Sequence, residues 1–396
     1  MLNSRLDLLT DYPFDRLRDL LDGTAPPPGV APLALSIGEP QHTPPAMIAE
    51  AVAANAHLWN KYPPPPGTPG LRAAIVGWLR RRFGLDALAL DPDRHVVPVA
   101  GTREALYMIA TLAVDPEAAG PRPVVLMPNP GYHVYAGSGF MSGAEVRFLD
   151  TGPDTGFLPD LDAIPEADLA RAALFYLCSP ANPQGTVADR AYLRRAVELA
   201  RRFDFLLAMD ECYADIYTGE APISALNVCQ DLGGDLDNVA VFHSLSKRSS
   251  APGLRSGFVA GCPKVMAKLK LLRSYGGATI PMPIMAASEA LWNDDAHAAE
   301  NRALYAEKFD LAARILQGRH GAYRPGGGFF LWLDVGDGEA AAKRLWTEAA
   351  LRVLPGAYLA RADGAGNNPG APYIRVALVY DPATTEDALH RLARTL

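Results

Sequence analysis

The run Phe203-Asp-Phe-Leu-Leu-Ala-Met-Asp210 constrains the fold more than any other stretch of the chain. From Phe205 to Met209 it has no polar residue and so no face to give to water. A strand of that kind belongs inside a parallel sheet with helices on both faces. Such sheets place their functional groups at the carboxyl ends of the strands, and this run ends there in an acid, Asp210.

Further apolar runs, His95-Val-Val-Pro-Val-Ala100, Pro123-Val-Val-Leu-Met-Pro128, Ala173-Leu-Phe-Tyr-Leu-Cys178 and the one beginning at Val239, extend the set. Helical spacing lies between and around them, over about 12–21, 46–56, 71–83, 190–202, 264–275 and one long run over 285–316. Shorter strands are expected at Leu33–Pro40, after the glycines 326–328, at the edge Val353–Tyr358 and at Pro372–Leu378. Alternation of this kind predicts an α/β fold, with a large domain built on a mostly parallel seven-stranded sheet between helices and a smaller α+β domain. The expected division is a 1–40 arm joining the small domain, a large domain over 41–280 and a small C-terminal domain over 281–396.

Composition narrows the function classes. The 396 residues are 49% hydrophobic, enough for a large core, and the net charge of −7 with no basic block disfavours a nucleic-acid or anionic-membrane partner. No apolar run approaches membrane-spanning length, and the first residues carry acids where a leader would carry an apolar core, so a cytoplasmic location is expected. Cys178, Cys212, Cys229 and Cys262 show no paired spacing and the eight histidines are scattered, so no disulfide framework and no metal site are expected.

The chemistry gathers around Val239-Ala-Val-Phe-His-Ser-Leu-Ser-Lys-Arg-Ser-Ser-Ala-Pro-Gly-Leu-Arg255. Here a strand runs into Ser244, Ser246 and Lys247, and Arg255 follows a Pro-Gly turn. Upstream, Gly101-Thr-Arg103 opens a helix after a strand, a start that leaves N–H groups and the positive dipole end facing an anion. Taken singly, each is an ordinary feature: a solvated lysine, a strand-to-helix turn, an Asn-Pro turn at Asn182. In this order they suit pyridoxal phosphate, which needs an amine, a carboxylate for its ring nitrogen and donors for its phosphate.

With Asn182-Pro-Gln-Gly185 and the arginine inside Pro372-Tyr-Ile-Arg-Val-Ala-Leu378, the chain resembles the fold-type-I aminotransferases of class I and II along nearly its whole length. Gln184 stands where that family usually has threonine. The resemblance implies pyridoxal 5'-phosphate as cofactor, carried by Lys247, with Asp210 on the ring nitrogen and Asn182 and Tyr213 on the phenolic oxygen. Lys247, Asp210 and Tyr213 are then the catalytic set. Tyr132 would stack on the ring, while Gly101, Thr102, Arg103, Ser244, Ser246 and Arg255 would hold the phosphate. Tyr62, in Asn60-Lys-Tyr-Pro-Pro-Pro-Pro-Gly67, would reach the phosphate of a second subunit, so a homodimer with shared sites is expected. Arg375 would take the substrate's α-carboxylate, and Gly38 would lie against the bound amino acid beside Asn182.

Four stretches, Leu35–Pro40, Ser246–Ala260, Leu354–Arg361 and the Tyr-Pro-Phe helix, look like the bacterial succinyldiaminopimelate aminotransferases, which exchange amines between glutamate and an N-succinylated keto acid of lysine biosynthesis. Polyanionic substrates call for added cations, and Arg16, Arg18 and Arg248 are candidates. Gly276-Gly277 is a departure that could reshape the substrate entrance. Another amino acid's aminotransferase, a β-lyase or cyclopropane-forming synthase on the same scaffold, and a non-enzymatic sensor remain open alternatives.

Overall fold

The computed structural model describes residues 2–118 and 120–396. Its strands, in chain order, are β1 Leu33–Ala34, β2 Val96–Val99, β3 Val124–Asn129, β4 Glu145–Asp150, β5 Ala172–Cys178 and β6 Leu206–Asp210. They continue with β7 Val239–Ser244, β8 Gly257–Gly261, β9 Phe330–Asp334, β10 Leu351–Arg352, β11 Leu354–Pro355 and β12 Tyr373–Ala377. Seven of them form one sheet in the order β2-β8-β7-β6-β5-β3-β4.

From β7 to β4 the strands are parallel. Alternate residues point to opposite faces, and both faces are covered. Phe175, Leu207, Met209 and Val241 enter one core with Trp78 and Leu193; Leu174, Tyr176, Ala208 and Phe242 enter the other with Leu106 and Tyr135. The exception is β8, antiparallel to both β2 and β7. Between β7 and β8 the chain makes only a one-turn helix, Leu245–Arg248, and a 3-10 turn, Pro252–Leu254. A parallel crossover ordinarily runs through a full helix, and this short connection returns the chain alongside itself.

The expected long helix over 285–316 is two helices, Met282–Asn293 and Ala296–Leu316. Asp294 breaks it by turning its carboxylate onto the backbone N–H of His297 at 3.0 Å and the ring Nδ1 of His297 at 2.6 Å, a local bond that competes with the helix interior. Met285, Leu291 and Trp292 of the first helix fill the core of the large sheet, whereas Phe309, Ala312 and Leu316 of the second pack with the smaller sheets. A division at residue 280 would therefore cut the first helix from the core it fills; the change of core falls at Asp294 and Asp295.

The smaller part holds the antiparallel sheet β11-β12-β9 and the parallel pair β1-β10. The strand expected over Leu33–Pro40 is only two residues long, and the one expected over Val353–Tyr358 becomes β11 followed by a 3-10 turn, Gly356–Tyr358. Past β1 a further backbone bond, from Ala377 N to Leu35 O at 2.7 Å, ties the chain to β12 before it crosses toward the large sheet. Among the described residues no helix is long and apolar enough to cross a membrane.

Trp292 is buried with its ring centroid 4.7 Å from that of Trp78 and 5.1 Å from that of Phe258. Trp292→Ala should destabilise the chain by about 3–5 kcal/mol, as other deletions of large buried aromatics do. Urea unfolding followed by circular dichroism checks this; a loss below about 1 kcal/mol would place that helix outside the core.

Candidate active site

The carboxyl ends of β5, β6 and β7 lie side by side, with Cys178 opposite Asp210 and Asp210 opposite Phe242. They open on a cavity of about 470 Å³. Asp210 is 6% exposed. It accepts from Tyr135 Oη at 2.7 Å and from Cys212 N at 3.2 Å, and no lysine or arginine pairs with it among the described residues. Burial pushes its carboxyl above the usual range, against the pull of those donors. An acid held in this way suits a partner that brings its own N–H and positive charge.

Lys247 stands at the same cavity because the β7–β8 return turns it back over the strand ends. Ser244 caps the one-turn helix, its Oγ accepting from Ser246 N at 3.1 Å. The lysine Nζ donates to Gly38 O at 2.6 Å and lies 5.2 Å from the centroid of Phe329. Burial pushes its pKa down to about 8, and the charges of Arg375 and Arg255 act in the same direction. A lysine of this kind is half neutral near pH 8 and is a competent nucleophile and base there.

A directional relay fixes the other end of the same residue. Lys308, wholly buried, places Nζ 2.8 Å from His42 Nε2 and 2.8 Å from Tyr380 O. Asn301 Nδ2 donates to the carbonyls of Lys247, at 3.0 Å, and Arg248, at 3.1 Å, which leaves its Oδ1 to accept. His42 Nδ1 therefore carries the hydrogen, given to Asn301 Oδ1 at 2.7 Å, and His42 Nε2 accepts from the Lys308 amine. Burial pushes the Lys308 amine down to about 7. Sequence reasoning missed all three residues; Asn301, Tyr305 and Lys308 do fall on one helix face, a polar and aromatic stripe in an otherwise apolar setting.

Arg375, in the middle of β12, is 5% exposed and has no carboxylate partner among the described residues. Its Nη1 donates to Asn182 Oδ1 at 3.0 Å and its Nη2 to Ser36 O at 2.7 Å, its Cζ lies 4.3 Å from the Phe330 ring centroid, and its Nε is buried without a hydrogen bond. Burial pulls its pKa down to about 10. Breaking a buried ion pair is costly because it strands the remaining charge; here the partner anion must come from outside the chain. Because Asn182 accepts from Arg375 with its oxygen, its amide nitrogen is free to donate.

The remaining predicted residues mostly converge. Thr102, Arg103, Tyr132, Tyr213, Ser244, Ser246, Arg255 and Gly38 all line the cavity with Lys247, Asp210, Asn182 and Arg375. Gly101 lies just outside, at φ +85°, and a side chain there would collide with the Arg255 guanidinium. A Cβ on Gly38 would come within 2.7 Å of the Phe330 ring, so packing by itself requires glycine. The Arg103 side chain is engaged away from the helix start, its Nε donating to Tyr132 Oη at 2.7 Å. Tyr62 is fully exposed and does not line the cavity of its own chain. Arg248 does not line it either: buried, it pairs with Asp215 at 2.8 Å and Asp295 at 2.7 Å, which is a structural tie. Arg18 is exposed and paired with Asp15 at 2.6 Å. Tyr135 and Tyr12 are cavity residues that the sequence did not single out; Tyr135 follows Tyr132 by three positions, the spacing that turns both toward one side of a helix start.

The cavity thus holds an unpaired buried acid, a low-pKa lysine, an unpaired buried arginine, and hydroxyls with an arginine at a helix start. This set fits a phosphorylated pyridine aldehyde together with an amino acid. Residues 31–392 match the family Aminotransferase class I and II. The chain is 32% identical over 388 residues to the 4-dedimethylamino-4-oxo-anhydrotetracycline transaminase OxyQ of Streptomyces rimosus, covering 97% of this chain and 99% of that one. It is 32% identical over 403 residues to the LL-diaminopimelate aminotransferase of Nitratidesulfovibrio vulgaris, covering 99% and 98%. The crystal structure of an aminotransferase from Neisseria meningitidis superposes with a TM-score of 0.93 at 40% identity, covering 99% of each chain. The unpaired charges of the cavity and these likenesses agree, and the chain belongs to the class I and II aminotransferases, enzymes that depend on pyridoxal phosphate.

Proposed function

We propose that the enzyme transfers the amino group of glutamate to N-succinyl-2-amino-6-oxopimelate, giving 2-oxoglutarate and N-succinyl-LL-2,6-diaminopimelate. The observation that carries the amino-acid half of this reading is Arg375, a buried guanidinium in the same cavity as Lys247, with no anionic partner among the described residues. The lysine-pathway half rests on the four stretches noted above and on relatives named for the diaminopimelate skeleton. Those relatives also favour a second reading, in which the acceptor is the unsuccinylated precursor of LL-diaminopimelate.

When bound, the cofactor supplies an aldehyde carbon that exchanges amines and a ring that takes up the electron pair left on the substrate's α-carbon. The chain does the rest. Arg375 grips the α-carboxylate with two parallel donors and so fixes the α-carbon near Lys247. Lys247 Nζ carries the proton removed from that carbon. Asp210, oriented by Tyr135 and Cys212 N, would accept the N–H of the ring nitrogen. Asn182 Nδ2 and Tyr213 would serve the phenolic oxygen, Tyr132 would stack on the ring, and Gly101, Thr102, the main chain of Arg103, Ser244, Ser246 and Arg255 would hold the phosphate. The fully exposed Tyr62 supports a homodimer in which it completes the partner's phosphate site. The division into arm, large and small domains at residues 40 and about 294 is proposed on the same footing.

Adding N-succinyl-LL-diaminopimelate to the loaded enzyme without a keto acid should bleach the visible cofactor band and release the keto product. A response to LL-diaminopimelate alone would select the second reading, and a response to glutamate with neither would discard the pathway. Lys247→Ala should remove that band and slow the half-reaction at least about 10²- to 10⁴-fold, the usual worth of a positioned acid–base group. Arg375→Lys, which keeps the charge and loses the fork, should lower kcat/KM for every amino acid about 10- to 100-fold, one charged hydrogen bond. Capture of pyridoxal phosphate by the apoenzyme needs neutral Lys247, so its rate should rise through pH 8 and level off, in keeping with a pKa lowered to about 8. A rate still climbing at about pH 10 in a stopped-flow trace would contradict that assignment.

A further inference from the structure

A second cavity, of about 220 Å³, adjoins the first, and His133 and Leu359 line both. Its walls are largely apolar, with Leu9, Met127 and Phe148 among them, and two arginines, Arg16 and Arg361, open on it. Neither arginine forms an ion pair among the described residues. Arg16 Cζ lies 3.9 Å from the centroid of Tyr358. Arg361 is held from two sides: Asn129 takes its backbone N–H at 2.8 Å and donates to its carbonyl at 2.9 Å, and its Nη2 donates to Leu8 O at 3.1 Å. Burial and the charge of Arg16 both pull the Arg361 pKa down. Two half-buried like charges, one anchored and one stacked, face an apolar space beside the reacting centre. That arrangement raises the energy of the empty site and is relieved by an anion.

We infer that this cavity is a subsite for the far end of a long amino-acid substrate: a terminal carboxylate, carried on an apolar or amide-linked spacer and held by Arg16 and Arg361. The α-amino acid end sits at Lys247 and Arg375 in the first cavity, and the spacer passes His133 and Leu359. Burial takes the His133 pKa down to about 4, so the ring is neutral there and adds no charge to the passage. The inference deepens the pathway reading above, since a succinyl group ends in such a carboxylate, but it requires only the carboxylate and the length. Of the arginines suggested by the sequence, Arg16 alone faces this space, and Arg361 joins it only through the fold.

The test uses the loaded wild-type enzyme and the Arg16→Gln/Arg361→Gln double variant, with fold and loading checked by thermal midpoint and cofactor absorbance. The donors are N-succinyl-LL-diaminopimelate against its N-acetyl counterpart, and linear 2-aminopimelate and 2-aminosuberate against their ω-methyl esters. The wild type should prefer each free acid about 10- to 100-fold, mainly through KM, and the double variant should lose that preference while its kcat for the acids changes little. A wild type blind to the terminal carboxylate, or a preference that survives in the double variant, overturns the subsite. Failure of the pathway reading has a different signature: the linear acids then show the preference and its loss, while N-succinyl-LL-diaminopimelate is not a donor. Should the double variant not fold, Arg361→Lys, which keeps charge but not the fork, must still reduce the preference for the subsite to stand.

Discussion

Lys247 is fixed at both ends by one crossing of the chain, and the site depends on that grip. Gly38 O takes its Nζ, and His42, four residues on, aligns Asn301 against its carbonyl. Just before Gly38, Ser36 O takes the Arg375 guanidinium. A segment that leaves β1 after two residues therefore sets the positions of the amine and the carboxylate fork together. Had it continued as a strand to Pro40, its carbonyls would be spent on ladder bonds and neither side chain would find them.

The site's electrostatics follow from what the chain withholds. Among the described residues Asp210 has no cation and Arg375 no anion, though both are buried, while other buried charges are paired: Arg248 with Asp215 and Asp295, Arg82 with Asp215. Stranded buried charges are expensive. They persist where a ligand is to supply the missing partner, and Lys247, lining the same cavity, is the amine we propose reacts with it. Lys308 is a different case, a buried amine whose pKa burial lowers to about 7 and which donates to an imidazole and a carbonyl. It is structural in its contacts, supplying the donor that His42 Nε2 needs once Asn301 has fixed the hydrogen on Nδ1.

Much of the fold was legible because apolar runs without a polar face have one stable destination, a sheet covered on both sides. Phe205–Met209, Ala173–Cys178 and the run from Val239 all became central parallel strands, and the acid and lysine at their ends reached one cavity. The misses came where local pattern is silent about path. Helical spacing is continuous across Asp294, and only the side chain's turn back onto His297 divides the helix. Direction is equally hidden, since an apolar strand has the same pattern whether it runs with its neighbours or against them; β8 at Gly257–Gly261 is reversed by the short connection before it.

The sequence by itself determined the sheet, the chemistry at its strand ends and the kind of cofactor they suit, because these rest on residue type and order along a few contiguous stretches. Tertiary structure alone decided which arginine is which. Arg248, beside the lysine in sequence, is neutralised in the core, Arg18 pairs on the surface, and Arg16 meets Arg361 from the far end of the chain. Charge is written in the sequence, but whether a charge is paired depends on neighbours hundreds of residues away, and only the folded chain brings those together.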